Sequence, residues 1–228
     1  MAIMATCPED WETVANLASQ HPDRIIPGFG IHPWWVNSAN SSNDWEIELR
    51  SYLQKFPNSI LGEIGLDKVA KDRANNNKLF PFDEQIELFK AQLKLAHALN
   101  KPISVHCVKC EGTLIETFIL LKGSLPEKIM LHSYSGSLDT LKRLFKLEGE
   151  LKTKFYFSFA KIINCKTDKY KASLLNIPED RILIESDNNE FKMVDELMNE
   201  VGVLVEEVVP NSLDKIYKNS LEFYSVRE

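Results

Sequence analysis

Short apolar runs alternate with amphipathic stretches along the whole chain. Seven runs read as strands: 2–6, 24–31, 59–66, 102–106, 128–132, 154–159 and 181–185. They are rich in Ile, Leu, Val and Phe and bounded by turn-forming residues, the usual strand signal. Between them, apolar residues recur three and four apart, as on one face of a helix. Trp11, Val14, Ala15 and Ala18 form one such face. A second helix opens at Asp44, carries Trp45, Ile47, Leu49, Leu53 and Phe56, and stops at Pro57-Asn58. Asp83 has the chemistry of an N-cap for a helix over 84–99, with Ile86, Phe89, Leu93 and Ala96 as its stripe. Helices are also expected at 111–122, 137–148 and near 168–175, and a helical tail at 190–225 is broken by Pro210. The polar stretches 37–43 and 67–81 read as loops, the second long enough to expect a functional or mobile role. Strands alternating with helices imply a parallel sheet. The pattern predicts an α/β fold, a TIM-type (β/α)8 barrel with seven of its eight strands, in one domain over 1–228.

The ends of these runs carry the chemistry. They deliver His32, Glu63, His106, His132 and Asp187, and a barrel builds its site at the C-terminal ends of its strands. Glu63 lies in an apolar run, where a carboxylate is rarely buried without a partner. A structural ion pair is the plain reading, and its surroundings favour a ligand. A lone histidine at a strand end is more often a satisfied core residue. His106 and His132 in matching positions favour metal ligands instead. Asp187 either caps the next helix or serves the site, and the site is preferred. For His32, before Pro33, lining the site and holding the loop weigh equally. His21 and His97 read as surface or packing residues. Trp34 and Trp35 suit either base stacking or packing under the 37–43 loop, and packing is preferred for at least one. Lys109, Lys161 and Lys166 follow strands, so phosphate contact and solvated surface are equally good readings.

Composition narrows the picture. With 228 residues, 44% hydrophobic and 10% aromatic, the chain can bury a sizeable core. The net charge of −6 gives no broad basic footprint, so nucleic acid would be held by metal ions and a local basic patch. Four irregularly spaced cysteines suit a reduced, intracellular protein. Cys107 and Cys110 form a C-x-x-C across a strand end rather than at a helix start, so coincidence is preferred to a redox pair. No membrane-length apolar run or signal peptide is visible, so a cytoplasmic or nuclear location is expected.

Taken together, GFGIHPWW (28–35), ILGEIGLD (60–67), PISVHC (102–107), HSYSGS (132–137) and ILIESD (182–187) resemble the TatD family of metal-dependent deoxyribonucleases. The helical segment 83–102 is similar to the one that precedes the family's fourth-segment histidine, and HPWW is similar to a fungal branch. The resemblance covers nearly the whole chain. It implies an amidohydrolase-type barrel that hydrolyses DNA phosphodiesters, preferring single strands. It also implies Glu63 as a carboxylate bridging metals, His106 and His132 as metal ligands, and Asp187 as a ligand that accepts a proton from the attacking water. His32, Lys109 and Trp34 become candidates for substrate binding. One or two ions of Mg²⁺, Mn²⁺ or Zn²⁺ fit this donor set.

The chain departs from the family in three places. The family's first strand carries His-x-His, and no such pair occurs among His21, His32, His97, His106 and His132. Val108 stands where many relatives have arginine, and Asn188-Asn189 replace Ser-Pro. The first departure predicts that an outer metal position survives and an inner one is weakened. It also predicts open strand edges that favour self-association or a partner. Two alternatives stay open: a catalytically inactive barrel serving as a binding or scaffold protein, and another amidohydrolase-type ester or amide hydrolase.

Overall fold

The computed structural model describes residues 1–228 except 42–43, 73–75, 167, 189–192 and 226–228, and describes only the backbone at 40–41. In chain order the elements begin with β1 (Ala2–Ala5), α1 (Pro8–Gln20), β2 (Ile26–Phe29), a 3-10 turn at Pro33–Trp35, α2 (Val36–Ser41) and α3 (Trp45–Lys55). Next come β3 (Ile60–Asp67), β4 (Lys71–Asp72), β5 (Lys78–Leu79), α4 (Phe82–Ala98), β6 (Ile103–Val108), α5 (Glu111–Leu120), β7 (Lys128–Leu131) and α6 (Leu138–Leu151). β8 (Lys154–Ala160), α7 (Lys161–Asn164), α8 (Lys169–Leu174), β9 (Ile182–Glu185), α9 (Val194–Glu206) and α10 (Leu213–Tyr224) complete them. All seven expected strands are present, with a helix or helices between each consecutive pair. The chain divides into two compact units, residues 1–129 with 149–154 and residues 130–148 with 155–228.

In the first unit β1, β2, β3 and β6 pair in parallel, from Ala2↔Ile26 through Gly28↔Ile60 to Asp67↔Val108. Both faces are covered, so Ile60, Leu61, Ile64 and Leu66 are all buried. The predicted face of α1 is buried, and the Trp11 indole N–H donates to the Gly30 carbonyl at 3.1 Å. Two expected loops contain structure. Residues 36–41 form α2, because Val36 and Ala39, three apart, both find the core. The 67–81 excursion carries the antiparallel pair β4 and β5, with Lys71 opposite Leu79. Asp83 is not the N-cap of α4. The helix begins earlier, at Phe82, and Asp83 lies in its first turn, where its charge favours the helix dipole.

The buried side of α4 includes two glutamines that the apolar stripe does not reveal. The Gln92 amide accepts from Ile31 N at 2.8 Å and donates to Ile31 O at 3.0 Å. Gln85 does the same for Asp67, at 2.9 and 3.2 Å. Buried backbone groups need partners, and these amides supply them where the strand ladder runs out. Lys101 satisfies another gap. Its buried ammonium donates to Phe56 O at 2.9 Å, Pro57 O at 2.7 Å and Ser59 Oγ at 3.1 Å, beyond the end of α3. Burial pushes its pKa down to about 8, so it remains mostly protonated at neutral pH. Lys101→Met keeps the stem but removes the donor to Pro57 O, whereas Phe56 O still accepts from Ser59 N at 2.9 Å and Ser59 Oγ at 2.6 Å. The expected result is a loss of about 1–3 kcal/mol, read as a lower urea midpoint. An unchanged midpoint would contradict this account.

In the second unit β8 and β9 pair in parallel, from Phe157↔Ile182 to Ala160↔Glu185. Met130, Tyr156, Leu183 and Phe223 form a buried cluster. Asn219 on α10 donates to Glu179 O at 2.7 Å and Ile182 O at 2.9 Å, tying the last helix to the start of β9. The tail is helical on both sides of Pro210, as the sequence predicts. Among the described residues no helix is long and apolar enough to cross a membrane.

Candidate metal centre

In the first unit, β3 carries Glu63 among buried neighbours and β6 carries His106 beside it. His106 Nδ1 lies 2.9 Å from Glu63 Oε1, and His32 Nε2 lies 3.4 Å from the same oxygen. The side chains of Glu63 and His106 are 12% and 15% exposed, so each faces the other more than water. The three ligand atoms lie within 4.8 Å of one another. Bonds of about 2.0–2.1 Å set ligand atoms roughly 3.3 Å apart around a tetrahedral zinc and roughly 2.9 Å apart around an octahedral magnesium. The observed separations fit a divalent cation and do not choose between these ions.

The proton positions separate the two histidines. Trp34 N–H donates to His32 Nδ1 at 3.2 Å, which leaves the proton of a neutral His32 on Nε2, facing Glu63. His32 thus holds its turn and orients the Glu63 carboxylate, and it is a poorer ligand than proximity alone suggests. His106 has the opposite arrangement. Its Nε2 faces Asp67 Oδ2 at 3.5 Å, so an Nε2 proton frees the Nδ1 lone pair beside Glu63.

Asp67, at the end of β3, was not singled out by the sequence reading. It is buried and accepts the Trp34 indole N–H at 2.7 Å and the Val69 amide at 2.9 Å. Burial alone would raise its carboxyl. The hydrogen bonds from His106, Trp34 and Val69 outweigh burial and hold it at about 2. Its place as a carboxylate ending an apolar run was the available signal.

The second unit builds a parallel arrangement. His132 follows β7, with Nδ1 2.9 Å from Glu185 Oε1 and Nε2 3.4 Å from Asp187 Oδ1. Glu185 ends β9 and also accepts from Ser133 N at 2.8 Å and Ser133 Oγ at 2.7 Å. Asp187 adopts a left-handed φ of 48°, uncommon outside glycine but tolerated by aspartate. Glu185 is the other residue missed from the sequence. It ends the apolar run of β9, two residues before Asp187, and that position was the available signal. By accepting a hydrogen bond from Nδ1–H, Glu185 leaves the Nε2 lone pair of His132 toward Asp187. Glu185→Ala is therefore expected to weaken divalent-cation affinity about 10- to 100-fold, measured by calorimetric titration. Unchanged affinity would remove this role.

The remaining candidates are dispersed. Lys109 is exposed just after β6, with φ 55°. Lys161 lies 2.5 Å from Glu200, so its charge is engaged, and Lys166 is exposed. Trp34 and Trp35 are 51% and 43% exposed, so neither is buried beneath α2. Cys107 and Cys110 are free thiols with sulfurs 3.8 Å apart. His97 Nδ1 meets Leu125 O at 2.8 Å, a packing role, and His21 is exposed. Asn189 lies outside the described residues.

Comparison with known proteins agrees with this geometry. Cut9-interacting protein scn1 of Schizosaccharomyces pombe is 26% identical, over 99% of this chain and 91% of its own length. The 3'-5' ssDNA/RNA exonuclease TatD of Erwinia tasmaniensis is 29% identical, over 82% of this chain and 67% of its own. Among solved structures, YJJV, a TatD homologue from Escherichia coli, superposes with a TM-score of 0.79 at 21% identity, covering 99% of this chain and 86% of that one. That likeness establishes a shared fold. The family profile described as TatD related DNase matches residues 1–216, and the chain belongs to that family.

Proposed function

We propose that the chain hydrolyses phosphodiester bonds in single-stranded DNA with the help of a divalent cation. The observation that carries this reading is the pairing of imidazole with carboxylate at strand ends, Glu63 with His106 and His132 with Asp187, in a chain that belongs to a DNase family. The substrate class draws support from the Erwinia relative, whose name specifies single-stranded DNA and RNA.

We assign Glu63 and His106 as metal ligands in the first unit, and His132 and Asp187 in the second. A bound cation lowers the pKa of its water and offsets the charge gathering on the phosphate. The protein's own groups prepare for this. His32 directs an N–H at Glu63, Asp67 faces His106 Nε2, and Glu185 accepts a hydrogen bond from His132 Nδ1. Each ligand thereby keeps one tautomer and one orientation. Asp187 is the carboxylate suited to accept a proton from the attacking water. Lys109 is exposed and suited to a phosphate contact.

The test is hydrolysis of labelled single-stranded DNA in Mg²⁺, Mn²⁺ or Zn²⁺, with cation binding followed by titration. Metal-dependent cleavage with one tight cation per chain is expected. Folded, metal-loaded protein that cleaves nothing would favour a second reading, a barrel that serves as a protein-binding partner. That reading draws on the name of the Schizosaccharomyces pombe relative.

A further inference from the structure

Trp34 combines two properties that seldom occur together. Its ring is half exposed, yet its indole N–H is fixed on a buried carboxylate, Asp67, at 2.7 Å. A tryptophan that merely packs would bury its ring, and an exposed one would leave its N–H to water. Here both ends of the residue are held. The backbone N–H donates to His32 Nδ1 at 3.2 Å, and the Asp67 backbone is clamped in turn by Gln85. The ring meets His32 and His106 edge to face, at 5.0 and 6.3 Å between centroids and 86° and 75° between planes. It is an aromatic surface immobilised beside the groups assigned to the metal.

We propose that Trp34 is the stacking platform for an unpaired nucleobase next to the phosphate to be cut, and that Asp67 is the positioning residue holding that platform in register with His106. This rests on the nuclease reading above. Bases stack on aromatic rings with little regard to sequence, because every base has a π-face. A ring fixed in advance loses little freedom when a base lands on it. Within a duplex both faces of a base are already stacked, so the platform also selects single strands. The Asp67 anchor distinguishes Trp34 from its neighbour Trp35.

The experiment compares two probes, a short single-stranded oligodeoxynucleotide and one of equal length made of abasic residues. Binding to the full chain is followed by fluorescence anisotropy in Mn²⁺, with Asp187→Asn present to suppress turnover. The base-bearing probe is expected to bind about tenfold more tightly. Adding Trp34→Ala should bring it to the abasic level and leave the abasic probe unchanged. Trp34→Phe, which keeps a ring but loses the Asp67 bond, should fall between. A merely structural role would weaken both probes equally. That result, or no effect of Trp34→Ala on either probe, would overturn the platform while leaving the nuclease reading intact. If the unmodified chain cleaves no single-stranded DNA and neither probe binds, the nuclease reading fails and the platform with it.

Discussion

Glu63→Ala is expected to abolish DNA hydrolysis and to weaken the coupling of the fold to divalent cations. Among the described residues, Glu63 is the carboxylate that groups with His32 and His106, whose ring centroids lie 4.4 Å apart. Removing it leaves His106 without the anion beside its Nδ1 that completes the cation site. Electrostatic contributions of this kind are commonly worth 10²–10³ in rate, and loss of a metal ligand should cost on the order of 10³-fold or more. A readout independent of turnover comes from linkage, since any ligand that binds only the folded state raises its stability. The melting temperature of the unaltered chain should rise with added Mn²⁺ or Zn²⁺, and that of Glu63→Ala should rise less, since only His132 and Asp187 of the assigned pairs stay complete. Glu63→Gln is the sharper companion, because it keeps the shape and still accepts the His32 N–H but carries no charge. If either variant retains both cleavage and the metal-induced shift, Glu63 is not the ligand.

The second large effect is expected from a residue with no chemistry of its own. Gly65 pairs with His106 across β3 and β6, next to the register shift between Leu61 and Ile64. Its φ is +143°, and a Cβ there would stand 2.0 Å from the His106 carbonyl oxygen. That obstacle is backbone and cannot swing aside. Gly65→Ala combines an unfavourable dihedral with a steric overlap, which together should cost about 3 kcal/mol or more. The displaced strand is the one that carries His106, so cation affinity should fall along with the urea midpoint. Gly112→Ala is the control. Gly112 lies in α5 with nothing within 4 Å of an added Cβ, so alanine should stabilise by about 0.5–1 kcal/mol. Equal effects at the two positions would show that space beside His106 is not what requires glycine.

The contrast between these glycines shows what sequence reading can and cannot reach. The strands were legible because fully buried parallel strands leave continuous apolar runs, and ILGEIGLD and FYFSF are hard to read otherwise. Glu63, His106, His132 and Asp187 stood out because each interrupts or ends such a run. What escaped depends on partners distant in sequence. Gln85 and Gln92 look like solvent-facing polar residues until Ile31 and Asp67 are seen beneath them. Asp67 and Glu185 repeat the pattern of the ligands in sequence, and only distances show that Asp67 faces His106 Nε2 and Glu185 faces His132 Nδ1. The helix at 36–41 escaped because its apolar contacts, Val36 and Ala39, are too few to announce a period.

The two glutamine clamps on α4 also bear on how the length of this chain can change. They are seven residues apart, about two helical turns, and each closes on the backbone of a different strand end. One residue inserted or deleted between them would rotate one amide by about 100° relative to the other, leaving Ile31 or Asp67 without its partner. The excursion between β3 and α4 carries no such phase requirement. Divergence in this lineage can therefore lengthen or shorten the segment ahead of α4, while the spacing from Gln85 to Gln92 behaves as a fixed ruler.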